Sequence, residues 1–313
     1  MNKLVEYVLL YLKGIAMGGA DVVPGVSGGT IAFITGIYET LLDSIKRFDV
    51  DAIKLLSRFE IKMLWQHVNG SFLLVLFAGI ATSILSLANL ITFLLNNHPI
   101  QVWSFFFGLI VISALIILRE IKKWNVGVII AMFAGIAIAY FITATTPAET
   151  PEAPWFMFIA GAVAICAMIL PGISGSFILL LFGKYEYVIT AIKEFRIADL
   201  VFLGLGCIVG ILSFARLVSW LFKKFHNLTV GLLSGFMIGS LNKVWPWKET
   251  LETYTDRHGE IKPLFQVNIL PNEYLAKSGA EPFFLEAIIF AAFGFLLVLG
   301  IDRLAAYISP KDA

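Results

Sequence analysis

Four stretches of this chain carry no charged side chain at all: Phe72–Asn97, Pro99–Leu118, Val126–Ala148 and Pro154–Gly183. Each is about 20 residues or longer, enough for a helix to cross ~30 Å of hydrocarbon. Backbone in lipid has no water to bind, so only helices and closed barrels survive there. The runs are continuously apolar and do not alternate, which excludes a barrel. Composition agrees, with 59% hydrophobic and 14% charged residues, against about 25% charged in a soluble domain. The chain therefore reads as an all-α polytopic membrane protein. A net charge of +1 and the lack of a basic tract point to no nucleic-acid partner. Cys166 and Cys207 lie in apolar segments and are expected as core residues without a disulfide. Lys13 interrupts the first apolar run and no fitting cleavage site follows, so that segment is expected to be retained.

The chain repeats itself. Val23–Ile45 (VPGVSGGTIAFITGIYETLLDSI) aligns without gaps on Leu170–Ile192 (LPGISGSFILLLFGKYEYVITAI) at an offset of 147, with nine of 23 positions identical. Ile84–Leu94 (ILSLANLITFL) aligns on Ile211–Leu221 (ILSFARLVSWL) at an offset of 127, and Gly108 and Gly235 keep that register. Ala131–Ala139 resembles Phe290–Val298 more weakly. The change of offset marks an insertion in the first half near Lys46–Gly70, and the second half carries its own polar loop at 243–282. The division is one membrane domain of two repeats, 1–150 and 151–313.

Each repeat holds a Pro-Gly-broken segment, read as a re-entrant helical hairpin, and about three crossings. In the first these are Phe72–Leu95, Ile100–Leu118 and Val126–Thr145; in the second, Leu200–Phe222, Leu228–Asn242 and Phe284–Ala305. An odd number of crossings per half inverts the second half. The positive-inside rule agrees. Lys46, Arg47, Lys54, Arg58, Lys62, Arg119, Lys122, Lys123, Lys223 and Lys224 fall in the proposed cytoplasmic loops. The short outer connections at 96–99 and 145–154 hold no Lys or Arg. Two inverted repeats are expected, with both termini cytoplasmic and loop 243–282 extracytoplasmic; 228–242 is short for a full span.

The breaks point to chemistry. Pro24 and Pro171 lack an N–H and push the preceding residue out of helical geometry, and Gly25 and Gly172 permit a sharp turn. Ser27 and Ser174 suit N-caps, each opening a new helix on Gly28, Gly29, Thr30 or on Gly175, Ser176. A helix start offers free N–H groups and partial positive charge, which suits a phosphate or carboxylate. Two such starts from inverted halves, meeting near the midplane, form the usual binding site of a transporter. The plainer reading is that the glycines only allow close helix packing. No metal-binding pattern and no catalytic set accompany them.

Other polar residues keep two readings each. Arg216, aligned with Asn89, sits about 9 Å inside its helix end at 1.5 Å per residue. It either snorkels to the interface or supplies fixed positive charge for an anionic headgroup. Asp21 either caps a backbone turn or binds a coupling proton or cation. Glu39 and Glu186 lie 12 residues beyond each serine, about 18 Å along a helix, as interfacial anchors or as gate or ion-coupling groups. Glu286, near the start of the last span, reads as interfacial.

Gly25-Val26-Ser27-Gly28 and Gly172-Ile173-Ser174-Gly175 also match the G-x-S-G of intramembrane serine proteases. That chemistry needs a base within hydrogen-bond reach. His67, His98, His226 and His258 all fall in loops or at helix ends, and there is no H-E-x-x-H.

The P-G-V-S-G-G-T and P-G-I-S-G-S motifs, the G-x-Y-E after each, and S-F-A-R-L at 213–217 together resemble the bacterial polyprenyl-phosphate transporter family, long catalogued as a domain of unknown function. The resemblance implies a lipid translocase of the bacterial cytoplasmic membrane that returns undecaprenyl phosphate, the carrier of cell-wall precursors, from the outer to the inner leaflet. It implies no cofactor, with a proton or sodium ion as the candidate coupling ion. It assigns headgroup binding to Ser27, Gly28, Gly29, Thr30, Ser174, Gly175, Ser176 and Arg216, and the breaks to Pro24, Gly25, Pro171 and Gly172. Asp21, Glu39 and Glu186, also carried over by the resemblance, are candidates for gating or ion coupling, and Asn89 joins them as the repeat partner of Arg216. The physical fit is direct: an unpaired charge is very costly to bury, and a donor-lined slot lets the head pass while the tail stays in lipid.

One competitor is a membrane polyprenyl-pyrophosphate phosphatase, which also uses inverted repeats and a P-G-x-S-R-S stretch. Here Gly28 and Gly175 stand at the Arg position, and no tight acidic pair is nearby. A small-anion channel or transporter is the other. A phosphate-release assay separates the enzyme from the rest: the translocase reading expects no release from polyprenyl pyrophosphate. Headgroup binding is expected to be lost in Arg216→Ala and on bulky replacement of Gly28 or Gly175.

Overall fold

A computed structural model describes residues 3–23, 26–148, 150–255 and 261–308. Pro24 and Gly25 lie outside the described residues, as does His258. The first half begins with α1 (Lys3–Asp21), α2 (Gly28–Ile34) and α3 (Tyr38–Lys46). Two short helices follow, α4 (Val50–Ser57) and α5 (Ile61–His67), and then three long ones, α6 (Gly70–Asn97), α7 (Pro99–Leu118) and α8 (Val126–Ala144). The second half runs α9 (Pro154–Ile169), α10 (Gly175–Leu181), α11 (Tyr185–Lys193) and α12 (Ile197–Ser240). A β-hairpin, β1 (Lys248–Thr255) with β2 (Ile261–Asn268), precedes α13 (Pro271–Ser278) and α14 (Phe284–Ile308). Among the described residues, five helices are long and apolar enough to cross a membrane: α6, α7, α8, α12 and the 284–303 part of α14.

α12 is two helices in one. Phe225 breaks it with φ −136° and ψ 50°, the same values that His98 adopts between α6 and α7. Phe225 stands 127 residues after His98, the offset read from the sequence. The weakly spanning 228–242 segment is thus the second leg of α12, residues 226–240. Other positions pair in the same way. Gly36 and Gly183, 147 residues apart, have φ of +71° and +62° and end α2 and α10. Helices α2 and α10 are seven residues each, and α3 and α11 nine.

Small residues set the helix packing. A Cβ at Gly14 or Gly79 would strike backbone of α6 or α1, and one at Gly161 or Gly206 would strike backbone of α12 or α9. These are the same two positions in each half, so α1 packs on α6 as α9 packs on the first leg of α12. The remaining long helices cross over between halves. Gly135 of α8 meets Gly235 of α12, while Gly108 of α7 meets Ala291 of α14 and Gly294 meets Phe105. Such contacts are what helices in lipid rely on, because apolar burial gives them little driving force there. Cys166 and Cys207 are free thiols at the α9–α12 contact, each donating to a glycine carbonyl, of Gly210 and Gly161 respectively.

The helical architecture holds, and the polar loop at 243–282 adds a short β-hairpin to it. Residues 248–255 and 261–268 pair antiparallel, with register irregularities near Glu252. Thr, Tyr, Val and Ile make these segments fit for strands. Trp245 and Trp247 tie the hairpin down, donating to the carbonyls of Ile269 and Pro282 at 2.9 and 2.8 Å. Trp247 is buried with Ile100, Ile269 and Ala287. The insertion at 46–70 forms α4 and α5, and Val50 and Ile53 of α4, Phe59 of the turn between them and Met63 of α5 are exposed. Exposed apolar side chains on short helices beside a membrane domain suit the interface.

These contacts define two ends of the bundle. The hairpin end holds the α8–α9 connection and the starts of α12 and α14. There Gln101 donates to Glu286 at 2.5 Å and Ala148 N–H to Leu181 O at 2.8 Å. The opposite end holds a polar cluster in which Lys46 meets Asp43 at 2.7 Å and Ser219 donates to Asp43 at 2.7 Å. Phe33, Tyr38 and Phe222 pack against one another in tilted and edge-to-face pairs with centroids 5.0–6.2 Å apart. Packing dictates a test. Gly108→Val and Gly235→Val are expected to lower the melting temperature or the monodisperse yield, since overpacking costs about 1–3 kcal/mol. Gly204→Ala, with open space at its Cβ, is expected to melt like the wild type in the same scan.

Candidate functional site

The two broken segments meet. Ser27 caps α2 from an extended backbone (φ −123°, ψ 135°) and accepts from Gly29 N–H at 3.0 Å. Its hydroxyl proton goes to the other half, to Met168 O at 2.8 Å. Thr30, one turn into α2, accepts from Gly172 N–H at 2.9 Å. So one tip satisfies a carbonyl at the end of α9, and the other tip's turn is satisfied by α2. Gly172 has φ +90°, a conformation that disfavours any side chain. A Cβ there would also meet Ser240, and one at Gly29 would meet Ile169 O. The glycines allow two backbones to touch.

The tips are not alike in detail. At α2, Gly28 N–H donates to Asp21 Oδ1 at 2.6 Å. A carboxylate at a helix start is favourably placed against the backbone dipoles, so Asp21 holds the position where an external anion would sit. Of the two roles open to Asp21, the cap is the one observed. At α10, Ser174 makes no cap bond to the backbone and instead shares a proton with Ser176, Oγ to Oγ 2.8 Å. Met168 stands at the sequence position that corresponds to Asp21, so α10 has no carboxylate there. Ser27 and Thr30 are fully buried and Ser174 is nearly so.

The remaining candidates lie elsewhere. Arg216 does not join the tips: it is exposed on α12, and its Nη2 reaches Phe48 O at 3.4 Å, at the end opposite the hairpin. Its length and its charge take it to the helix end, as snorkelling requires. Asn89 is likewise exposed on α6. Glu39 is exposed and faces His226 at 3.8 Å at that same end. Glu186 is half-buried in the first turn of α11. Among the described residues no group of three or more His, Cys, Asp or Glu is placed to hold a metal.

The sequence marked Lys13 only as an interruption of the first apolar run. Its amine donates to Thr35 O at 2.7 Å, at the end of α2, so α2 has doubled back alongside α1. A lone Lys in an apolar run was the available signal. Sequence reading passed over Ser104 and Ser234, buried hydroxyls without a partner among the described residues; a serine in an apolar helix carries no mark that tells packing from function.

A bundle of long apolar helices enclosing two touching helix breaks is the architecture of a membrane transporter core. A sequence model of the VCA0040-like family, described as undecaprenyl phosphate translocase-like, matches residues 17–262. The chain belongs to that family. It is 46% identical over 304 residues to a polyprenyl-phosphate transporter of Vibrio cholerae serotype O1, covering 97% of this chain and 99% of that one. It is 34% identical over 254 residues to a polyprenyl-phosphate transporter of Staphylococcus aureus, covering 75% of this chain and 85% of that one. No solved structure matches the chain.

Ser27→Ala removes both the cap and the bond across the tips. It is expected to destabilise by about 1–2 kcal/mol, read as a lower midpoint in a thermal or denaturant titration in detergent. Thr30→Val, which keeps the shape but leaves Gly172 N–H without its acceptor, is expected to cost about 1–3 kcal/mol in the same titration.

Proposed function

We propose that this protein carries polyprenyl phosphate across the bacterial cytoplasmic membrane, returning the carrier lipid from the outer to the inner leaflet. The observation that carries the reading is the likeness, along nearly the whole chain, to a relative named polyprenyl-phosphate transporter. Both relatives are named as transporters and not as enzymes, which sets the phosphatase reading aside.

The two halves are inverted repeats in this reading, with re-entrant hairpins α1–α2 and α9–α10. The matched glycine contacts, the equal helix lengths and the shared break at His98 and Phe225 support it. The N- and C-termini lie in the cytoplasm, and the β-hairpin faces outward. Lys46, Arg47, Lys122, Lys123, Lys223 and Lys224 then gather at the inner end, in keeping with the charge rule.

Transport runs by alternating access around the seam between the tips. Ser27, Gly28, Gly29 and Thr30 on one side and Ser174, Gly175 and Ser176 on the other line the path of the phosphate. Asp21 occupies the Gly28 N–H in the form observed. A phosphate and an ionised Asp21 compete for that donor, because two anions at one helix start repel. Protonation of Asp21 removes the competitor and frees the N–H, which makes a proton the favoured coupling ion over sodium. Glu39 and Glu186, in the first turns of α3 and α11, stand at the mouths of the two hairpins as gate residues. Arg216 and Asn89 act as anchors at the lipid boundary.

Liposomes test this. Wild type is expected to equilibrate polyprenyl phosphate between leaflets, read by the accessibility of the phosphate to an external reagent, and to release no inorganic phosphate. Asp21→Asn is expected to keep exchange but to lose its response to an imposed proton gradient, while Arg216→Ala keeps at least half of the wild-type rate. No exchange by wild type, or release of phosphate, defeats the reading.

A further inference from the structure

A second polar site lies outside the seam, under the β-hairpin. A cavity of about 260 Å³ opens between the C-terminal end of α8, the turn after α12 and both strands, and its lining includes Thr143, Asn242, Lys243, Lys248, Gln266 and Asn268. No carboxylate lines it. Both lysines are half-buried, and an ammonium drawn out of water is normally paired, yet neither lysine has an acidic partner among the described residues. Lys248 Nζ donates to Lys243 O at 2.5 Å and lies 4.1 Å from the centre of the Trp103 ring. Lys243 Nζ lies 4.4 Å from the centre of the Phe177 ring and makes no hydrogen bond to a described residue. Each ammonium carries three donors, so most of those in this pair are free for a ligand.

The energetics favour an anion. Burial lowers the Lys243 amine to about 8. Burial lowers Lys248 well below the usual lysine range, and the charge of Lys243 lowers it further. Two like charges held close in a partly desolvated pocket repel each other and are poorly solvated. A phosphate group relieves both costs at once, and lysine is a common phosphate ligand. The amides are already set: Asn268 Nδ2 donates to Asn242 O and Oδ1, both at 2.8 Å, and Asn242 Nδ2 to Thr143 Oγ1 at 3.1 Å. A cavity of that volume holds a phosphate and several waters, each water taking about 30 Å³.

Its position links it to the seam. Phe177, under Lys243, belongs to α10, and Ser240, three residues before Lys243, packs on Gly172 at the tip. We infer that Lys243 and Lys248 form a phosphate-monoester site on the hairpin face, where the headgroup of an incoming polyprenyl phosphate loads before it reaches the seam. The lipid source of that phosphate rests on the proposed function; the site itself does not.

The test uses the full chain in phosphatidylcholine nanodiscs, titrated with farnesyl phosphate and, separately, with inorganic phosphate. K243Q/K248Q is expected to weaken farnesyl phosphate binding at least tenfold, and K243R/K248R to stay within about threefold of wild type. Equal farnesyl phosphate affinity in wild type and the glutamine pair overturns the site. Dependence on the pair for inorganic phosphate alone overturns the lipid source in favour of a free anion. Should the glutamine pair not fold, the wild type answers by itself: farnesyl phosphate is expected to slow acylation of Lys243 at least fivefold relative to exposed Lys62, and unchanged acylation overturns the site. Lipid exchange in liposomes is scored beside this. Lysine-dependent binding without exchange defeats the transport reading and leaves the site standing; exchange with no effect of the lysines on binding defeats the site alone.

Discussion

Backbone hydrogen bonds that a helix cannot close for itself govern this structure. The starts of α2 and α10 and the end of α9 leave N–H and C=O groups without helical partners, in a region where a lost partner costs several kcal/mol. The molecule answers by setting the breaks against each other. Ser27 reaches Met168 O, Thr30 takes Gly172 N–H, and Asp21 takes Gly28 N–H. Each broken segment is satisfied in part by the other, through the Ser27–Met168 and Gly172–Thr30 bonds.

That meeting dictates the rest of the packing. The tips touch only if the helices bearing them lie close, and the glycines at 14, 79, 161 and 206 provide for it. The long helices then bind the halves together, α8 against the second leg of α12 and α14 against α7. Each half lends a helix to the other. Two units so interlocked share one seam, where the ends of α9 and α2 touch. The Asp43–Lys46–Ser219 cluster closes one end of that seam, while the other end carries the lysine-lined cavity.

Much of this was legible in the residues. Uncharged runs of helix-spanning length marked α6, α7 and α8 to within a few residues. The two offsets, 147 and 127, are the offsets at which Gly36 matches Gly183 and His98 matches Phe225 in backbone angle. Serine after a Pro-Gly break reads as a cap, and at Ser27 it is one. Less legible were the places where contact overrules local pattern. Composition marked 243–282 as a polar loop; tryptophans packing on Ile100 and Ala287 made it a sheet-bearing cap over the bundle. Arg216 carried the right charge in the right motif, yet helix rotation turns it toward Phe48 and away from the tips.

Sequence alone determined the solvent, the element type and the duplication, because hydropathy, Pro-Gly breaks and repeated spacing act along the chain and need no partner. Only the tertiary structure decided which donors remain free. Asp21 covering the first amide of α2, and two half-buried lysines 5 residues apart without a carboxylate partner among the described residues, arise from residues brought together across space. Burial and partnership belong to pairs of elements, and no single stretch of chain encodes them.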